Sequence, residues 1–193
     1  MPHYAIVIDS NLCTGCLSCE VACKQENGVA LGQYWNKVIL RGPEGEFPHL
    51  KMHWIPSMCQ QCAEAPCVHV CPTGASYRDE KTNIVLINKE DCIGCQYCMM
   101  ACPYGVRSWN KAENVVEKCT LCTQLTSNGE LPACVSGCPG HARFYGDLDD
   151  PESDASKRIA AADPADVHVL ADVGNHPQTK YILSPRIGEW KEG

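Results

Sequence analysis

The stretch Cys13-Thr14-Gly15-Cys16-Leu17-Ser18-Cys19-Glu20-Val21-Ala22-Cys23 spaces four cysteines as C-x2-C-x2-C-x3-C. The same spacing returns in a third group, in which each cysteine lies 79 residues after its counterpart, as Cys92 does after Cys13. That group consists of Cys92, Cys95, Cys98 and Cys102. The preceding residues also match, because Ile6-Val7-Ile8-Asp9 leads into one group and Val85-Leu86-Ile87-Asn88 into the other. The β-branched runs 6–8 and 84–87 predict short strands that enter the two groups. This agreement indicates an internal duplication.

The other eight cysteines form two further groups that resemble each other. Group two is Cys59, Cys62, Cys67 and Cys71, and group four is Cys119, Cys122, Cys134 and Cys138. Both groups open with C-x2-C and close with C-x3-C-P, but the gap between the second and third cysteines is longer in group four. That longer gap contains the turn signal Ser127-Asn128-Gly129, which favours a loop insertion.

Closely spaced cysteines ending in Cys-Pro are typical of ligands to cubane iron–sulfur clusters. A glycine between the first two ligands lets the backbone bend tightly around such a cluster. Sixteen cysteines in four complete groups therefore predict four [4Fe–4S] clusters. Every cysteine of the four groups is a candidate ligand.

Two other uses of cysteine fit the composition less well. Zinc sites also contain C-x2-C pairs, but they do not call for a third cysteine at x2 and a fourth at x3 before proline. Disulfide scaffolds are usually short secreted chains, and the N-terminal sequence Met1-Pro2-His3-Tyr4-Ala5 has no basic segment followed by an apolar one.

Charge and hydropathy exclude several classes of partner and activity. The net charge of −7 disfavours nucleic acid, and the apolar runs are too short to span a bilayer. The sequence has no phosphate-binding glycine loop and no nucleophile constellation, so we expect a non-catalytic chain. We expect a soluble protein, either cytoplasmic or exported with a signal-bearing catalytic partner to the outer face of the cytoplasmic membrane.

The cysteine groups and their flanks resemble the iron–sulfur subunits of the dimethyl-sulfoxide-reductase family of molybdopterin oxidoreductases, most closely the polysulfide and thiosulfate reductase type. The resemblance covers essentially the whole chain. The segments that carry it are Ala22-Cys23-Lys24-Gln25-Glu26-Asn27, Val70-Cys71-Pro72-Thr73-Gly74-Ala75, Ala101-Cys102-Pro103-Tyr104-Gly105-Val106-Arg107, Glu117-Lys118-Cys119-Thr120-Leu121-Cys122 and Gly146-Asp147-Leu148-Asp149-Asp150-Pro151.

The resemblance implies a crossed pairing of the groups, whereas the tandem repeat by itself suggests that group one pairs with two and group three with four. In the crossed arrangement each cluster takes three ligands from one group and the last from another. The implied sets are Cys13, Cys16, Cys19 and Cys138 for cluster 1; Cys119, Cys122, Cys134 and Cys23 for cluster 2; Cys59, Cys62, Cys67 and Cys102 for cluster 3; and Cys92, Cys95, Cys98 and Cys71 for cluster 4.

The implied fold is α+β and loop-rich, with two pseudo-symmetric bacterial-ferredoxin-like domains. Residues 1–23 plus 110–150 form domain A from groups one and four, and residues 59–109 form domain B from groups two and three. Residues 24–58 are a connector hairpin, and residues 151–193 are a C-terminal tail at a partner interface, with packing on its own domain as the alternative.

Several local elements are predicted as well. Gly42-Pro43-Glu44-Gly45 favours the hairpin turn of the connector, and short helices are expected to follow the fourth cysteine of each group. In the tail, the sequence favours a helix over 154–162 capped by Ser153 or Asp154. Residues 167–170 and 181–183 are expected to be extended.

The resemblance implies an electron-transfer subunit that works with a large molybdopterin (Mo/W) catalytic subunit and leaves open an integral-membrane quinol-interacting subunit as a second partner. The alternative is a free soluble polyferredoxin. Cations and histidines near the ligands are candidates for tuning reduction potentials, with a solvated surface role as the alternative. They are Lys24, Arg107, Lys111, Lys118, His69 and His141.

We predict that the cluster-free chain is largely unfolded. Only two phenylalanines occur, and 28 residues are glycine or proline, so apolar burial offsets little of the conformational entropy and metal ligation has to contribute. Circular dichroism of the chelator-treated protein should show no cooperative thermal transition, and a native-like melt would contradict the prediction.

Overall fold

The computed structural model describes residues 1–192 and confirms the loop-rich α+β class. The helices are α1 (Ser18–Asn27), α2 (Pro66–His69), α3 (Tyr97–Met100), α4 (Thr123–Thr126), α5 (Ala133–Ser136) and α6 (Asp154–Ala160). The strands are β1 (Tyr4–Asp9), β2 (Asn36–Glu44), β3 (Lys51–Met58), β4 (Ser76–Arg78), β5 (Val85–Ile87), β6 (Ser108–Asn110), β7 (Val115–Glu117), β8 (Arg143–Asp147), β9 (Val167–His168) and β10 (Lys180–Ile182).

The largest sheet joins the two ends of the chain. Its strand order is β8-β1-β10-β9, with β1 antiparallel to β8 and parallel to β10. Strand β1 is one of the two inner strands and contains the β-branched run predicted before group one. Ile6 and Ile8 of β1 are buried in a core that also contains Cys19, Cys23 and Cys119. The sulfur atoms are therefore part of the hydrophobic core rather than attached to its surface.

The remaining strands form three antiparallel hairpins, β2–β3, β4–β5 and β6–β7. The predicted connector hairpin exists, but the predicted position of its turn is wrong. Pairing continues past Gly42 and Pro43 to Glu44 opposite Lys51, with a register irregularity after Arg41. The positive φ of Gly42 serves this bulge, and the chain reverses over residues 45–50.

The helices near the cysteines do not follow the fourth cysteine in three of the four groups, so that prediction is also wrong. Helices α2, α3 and α5 end before Cys71, Cys102 and Cys138. Each of these cysteines precedes a proline, and the residue before proline disfavours the α conformation. In group one Lys24 follows the fourth cysteine instead, and α1 continues to Asn27.

The C-terminal tail packs on the chain itself. The predicted helix forms as α6, where the Ser153 hydroxyl accepts a hydrogen bond of 3.1 Å from the Ser156 amide. The predicted extended segments form β9 and β10, and β10 lies beside β1. The domain boundaries and a partner interface for the tail stay predictions.

Within residues 1–192, no helix is long and apolar enough to cross a membrane.

Tyr181 in β10 should be a major anchor of the tail. Its ring is fully buried, and its hydroxyl donates to the Pro56 carbonyl at 3.0 Å. Replacing a large buried aromatic side chain by alanine usually costs about 3–5 kcal/mol. Tyr181→Ala should therefore lower the thermal denaturation midpoint of the anaerobic holoprotein clearly, whereas Phe47→Ala, at a side chain that is 88% exposed, should not. Equal midpoints for the two variants would contradict this.

Candidate metal centres

All sixteen cysteines lie within the described residues, and none of them forms a disulfide. Twelve of them line three separate cavities. The first contains Cys13, Cys16, Cys19 and Cys138. The second contains Cys59, Cys62, Cys67 and Cys102. The third contains Cys71, Cys92, Cys95 and Cys98.

The last four thiols lie together near α1 and α5. The Asn27 amide nitrogen is 3.8 Å from the Cys23 sulfur and 3.6 Å from the Cys122 sulfur. Cys134 and Cys119 lie close enough to Cys23 for their charges to interact with it. The structure thus brings Cys23 of group one to three cysteines of group four. Each of the four sites combines three cysteines of one group with one cysteine of another.

Helix packing explains why each site takes its fourth cysteine from another group. Helix α1, which carries Cys19 and Cys23, packs against α5, which carries Cys134. Helix α2, which carries Cys67, packs against α3, which carries Cys98. Each contact brings the fourth cysteine of one group next to the first three cysteines of its partner group.

The backbone repeats the duplication seen in the sequence. Gly15 and Gly94 have φ of +67° and +70°. A Cβ atom at Gly15 would collide with the Trp54 indole, and one at Gly94 with the Trp109 ring. Glycine is needed at both places because the backbone has a left-handed conformation and a tryptophan ring lies directly against it.

Hydrogen bonds reach the sulfurs from both backbone and side chains. The Ser76 amide is 3.3 Å from the Cys71 sulfur, and the Ala142 amide is 3.4 Å from the Cys138 sulfur. The Asn175 side-chain amide lies 2.9 Å from the Cys62 sulfur. Sequence reasoning missed Asn175, because it lies far along the chain in a segment without cysteine.

Burial controls the protonation of the inner thiols. Burial, together with the charges of the neighbouring Cys134 and Cys122, raises the pKa of Cys23 to about 12. It also raises the pKa of Cys62 to about 11, although the hydrogen bond from Asn175 acts to lower that pKa. The pKa of the fully buried Cys119 is also raised by desolvation. Such thiols stay protonated at neutral pH unless a metal takes the place of the proton.

The residues predicted to tune reduction potentials differ in burial. Arg107 and Lys118 are buried beside the thiols. Lys111, His69 and His141 are exposed, and the Lys24 ammonium donates to the Ala30 carbonyl at 3.0 Å.

Sequence reasoning missed one buried cation. Arg143 is 4% exposed and lines the first cavity. It stands five residues after Cys138, as Arg107 stands five residues after Cys102. That shared offset was the signal that could have identified Arg143.

The site fits an iron–sulfur cluster better than a single metal ion. Within residues 1–192, no three His, Cys, Asp or Glu side chains converge closely enough to hold one ion. The thiols instead surround cavities, as ligands to a polynuclear group must. In addition, Nη1 of Arg107 and Nε of Arg143 are buried without a hydrogen-bond partner, which suits an anionic group between the thiolates.

Comparison with known proteins agrees with this chemistry. Residues 50–148 match the family model described as a 4Fe-4S dicluster domain. Protein NrfC of Escherichia coli (strain K12) is 45% identical over 81% of this chain and 71% of its own length. The arsenate respiratory reductase iron-sulfur subunit ArrB of Shewanella sp. (strain ANA-3) is 36% identical over 93% and 95%.

A third relative is of the thiosulfate reductase type that the sequence resembles. The thiosulfate reductase electron transfer subunit PhsB of Salmonella typhi is 46% identical over 78% of this chain and 79% of its own length. The cysteine sites, the dicluster domain and these relatives together show that the chain belongs to the iron–sulfur electron-transfer subunits of the molybdopterin oxidoreductases.

Proposed function

We propose that this chain holds four [4Fe–4S] clusters and conducts electrons between a molybdopterin (Mo/W) catalytic subunit and a quinone-linked membrane anchor or other redox partner. The grouping of sixteen thiols into four sets of four carries the proposal. A [4Fe–4S] cluster accepts and releases single electrons at a potential that its surroundings set.

The proposed ligand sets are the crossed ones. Cluster 1 takes Cys13, Cys16, Cys19 and Cys138; cluster 2 takes Cys119, Cys122, Cys134 and Cys23; cluster 3 takes Cys59, Cys62, Cys67 and Cys102; and cluster 4 takes Cys92, Cys95, Cys98 and Cys71. The cysteines that share each cavity, and the packing of α1 on α5 and of α2 on α3, support these sets. Groups one and four then build domain A, and groups two and three build domain B.

The four sites follow one another in series. Cys19 of site 1 interacts with Cys134 of site 2, and Cys119 of site 2 interacts with Cys59 of site 3. Arg107 lies beside thiols of both site 3 and site 4. The chain therefore offers a path with sites 1 and 4 at its ends, as a subunit between two redox partners requires.

The two ends also carry exposed apolar side chains. Val21 near site 1 is 61% exposed, and near site 4 Ile93 is 61% and Met100 73% exposed. Val21 and Met100 stand 79 residues apart and so occupy equivalent places in the duplication. These exposed apolar side chains support docking of one partner at each end of the path.

Serine substitutions should test the cluster count and the ligand sets together. Native protein purified without oxygen should contain about sixteen iron atoms and a similar amount of sulfide, four of each per cluster. With crossed sets, Cys23→Ser and Cys122→Ser should alter the same electron paramagnetic resonance signal. Cys138→Ser should alter a different signal, together with Cys16→Ser.

The tandem arrangement gives the opposite result. If group one paired with group two, Cys23→Ser would alter the same signal as Cys62→Ser. Exposed Ser127→Ala, in the loop of group four, is the matched control and should leave every signal unchanged.

Co-purification should distinguish a complex subunit from a free polyferredoxin. Affinity-tagged chain expressed in its native host should retain a large molybdenum- or tungsten-containing chain. Replacing exposed Met100 by aspartate should remove one partner and keep the iron content. A monomer without a metal-containing partner, at normal iron content, would favour the free polyferredoxin.

A further inference from the structure

Three cations are buried among the thiols without a carboxylate partner. Arg107, Lys118 and Arg143 are 6%, 2% and 4% exposed. Among residues 1–192 none of them forms an ion pair with Asp or Glu, although more exposed cations such as Arg158 do. An uncompensated buried charge costs several kcal/mol, so these three require another source of negative charge.

Arg143 lies between sites 1 and 2. Arg143 lines the cavity of Cys13, Cys16, Cys19 and Cys138, and its Nη2 donates to the side-chain oxygen Oδ1 of Asn36 at 3.1 Å. Burial alone would lower the pKa of Arg143, but the charges of Cys134, from site 2, and Cys19, from site 1, raise it. Its Nε atom has no hydrogen-bond partner.

Lys118 lies between sites 2 and 3. Its ammonium donates to the Cys119 carbonyl at 2.7 Å and also to the Val85 carbonyl. Cys119 belongs to site 2, and Val85 lines the cavity of site 3. Its charge also acts on Cys67 of site 3.

Arg107 lies between sites 3 and 4. It lines the cavity of site 3, and its Nη2 donates at 2.9 Å to the hydroxyl of Ser76, which lines the cavity of site 4. The charges of Cys67, from site 3, and Cys98, from site 4, both act on Arg107. Its Nη1 atom has no hydrogen-bond partner.

We propose that each gap between successive cluster sites holds one buried cation, Arg143, Lys118 or Arg107, which raises the reduction potentials of both flanking clusters. The inference rests on the proposed four-cluster function. Reduction adds one electron and makes a site more negative, so a fixed positive charge nearby favours the reduced form. These residues tune potentials and are not ligands.

The arrangement has a consequence that a merely structural role would not have. A cation in a gap acts on two neighbouring sites at once, and the three cations overlap in a chain. Losing Arg143 affects sites 1 and 2, losing Lys118 affects sites 2 and 3, and losing Arg107 affects sites 3 and 4.

The test is potentiometric titration of the purified holoprotein, with each cluster followed by its electron paramagnetic resonance signal. Arg143→Met, Lys118→Met and Arg107→Met should each lower two adjacent midpoint potentials. We expect a shift of about tenfold in the reduction equilibrium, or about 59 mV for one electron. The charge-retaining variants Arg143→Lys, Lys118→Arg and Arg107→Lys should restore most of each shift. Exposed Lys111→Met is the matched control and should shift no potential.

A shift confined to one cluster, an equal shift of all four or no shift would overturn the inference. If a methionine variant loses iron, the glutamine variant at the same position is titrated in its place. The variants in the other two gaps test the inference independently. Native protein with far fewer than about sixteen iron atoms would overturn the four-cluster function instead. Full iron content with unmoved potentials overturns only the role of the cations.

Discussion

Sulfur atoms facing one another inside the protein are the constraint on which the rest of the structure depends. Half of the sixteen cysteines are buried, and burial together with mutual repulsion raises the pKa of thiols such as Cys23 and Cys119. An interior of this kind is unfavourable for an empty chain. It becomes favourable when metal replaces the protons and joins segments that have little apolar side-chain volume of their own.

The exchange of a fourth cysteine between groups gives the fold its long-range order. Most helices have only four residues and the hairpins are small, so local structure contributes little stability. Contacts between α1 and α5 connect the beginning of the chain with group four. In the proposed ligand sets, each cluster acts as a cross-link between distant segments and stabilises what the short elements cannot.

The C-terminal tail contributes to the sites both by packing and by hydrogen bonding to sulfur. Tyr181 inserts beside β1 and fills the core around the thiols. Asn175 donates to the Cys62 sulfur and to the Tyr104 hydroxyl at 2.7 Å. A segment without a single cysteine thus supplies part of the surroundings of site 3, where hydrogen bonds to sulfur influence the properties of a metal site.

The sequence by itself determined the type of chemistry, because ligand spacing is local and repeats. The 79-residue offset, Gly15 and Gly94, the strands before groups one and three and the Ser153-capped helix could all be predicted, since each depends on neighbouring residues. The placement of the connector turn and of the helix ends was mispredicted. There, a bulge at Gly42 and the proline after the fourth cysteine of groups two, three and four outweighed the simpler pattern.

Only the tertiary structure decided what lies between the sites. Arg143 is far in sequence from Cys19, and Asn175 is far from Cys62. The five-residue offset that Arg143 shares with Arg107 marks its position, but it does not show which distant thiols Arg143 approaches. Their role arises from packing of distant segments, which brings a cation or an amide into a closed interior where its effect is strong. The same packing left Lys24 and Lys111, close to ligands in sequence, without such a position.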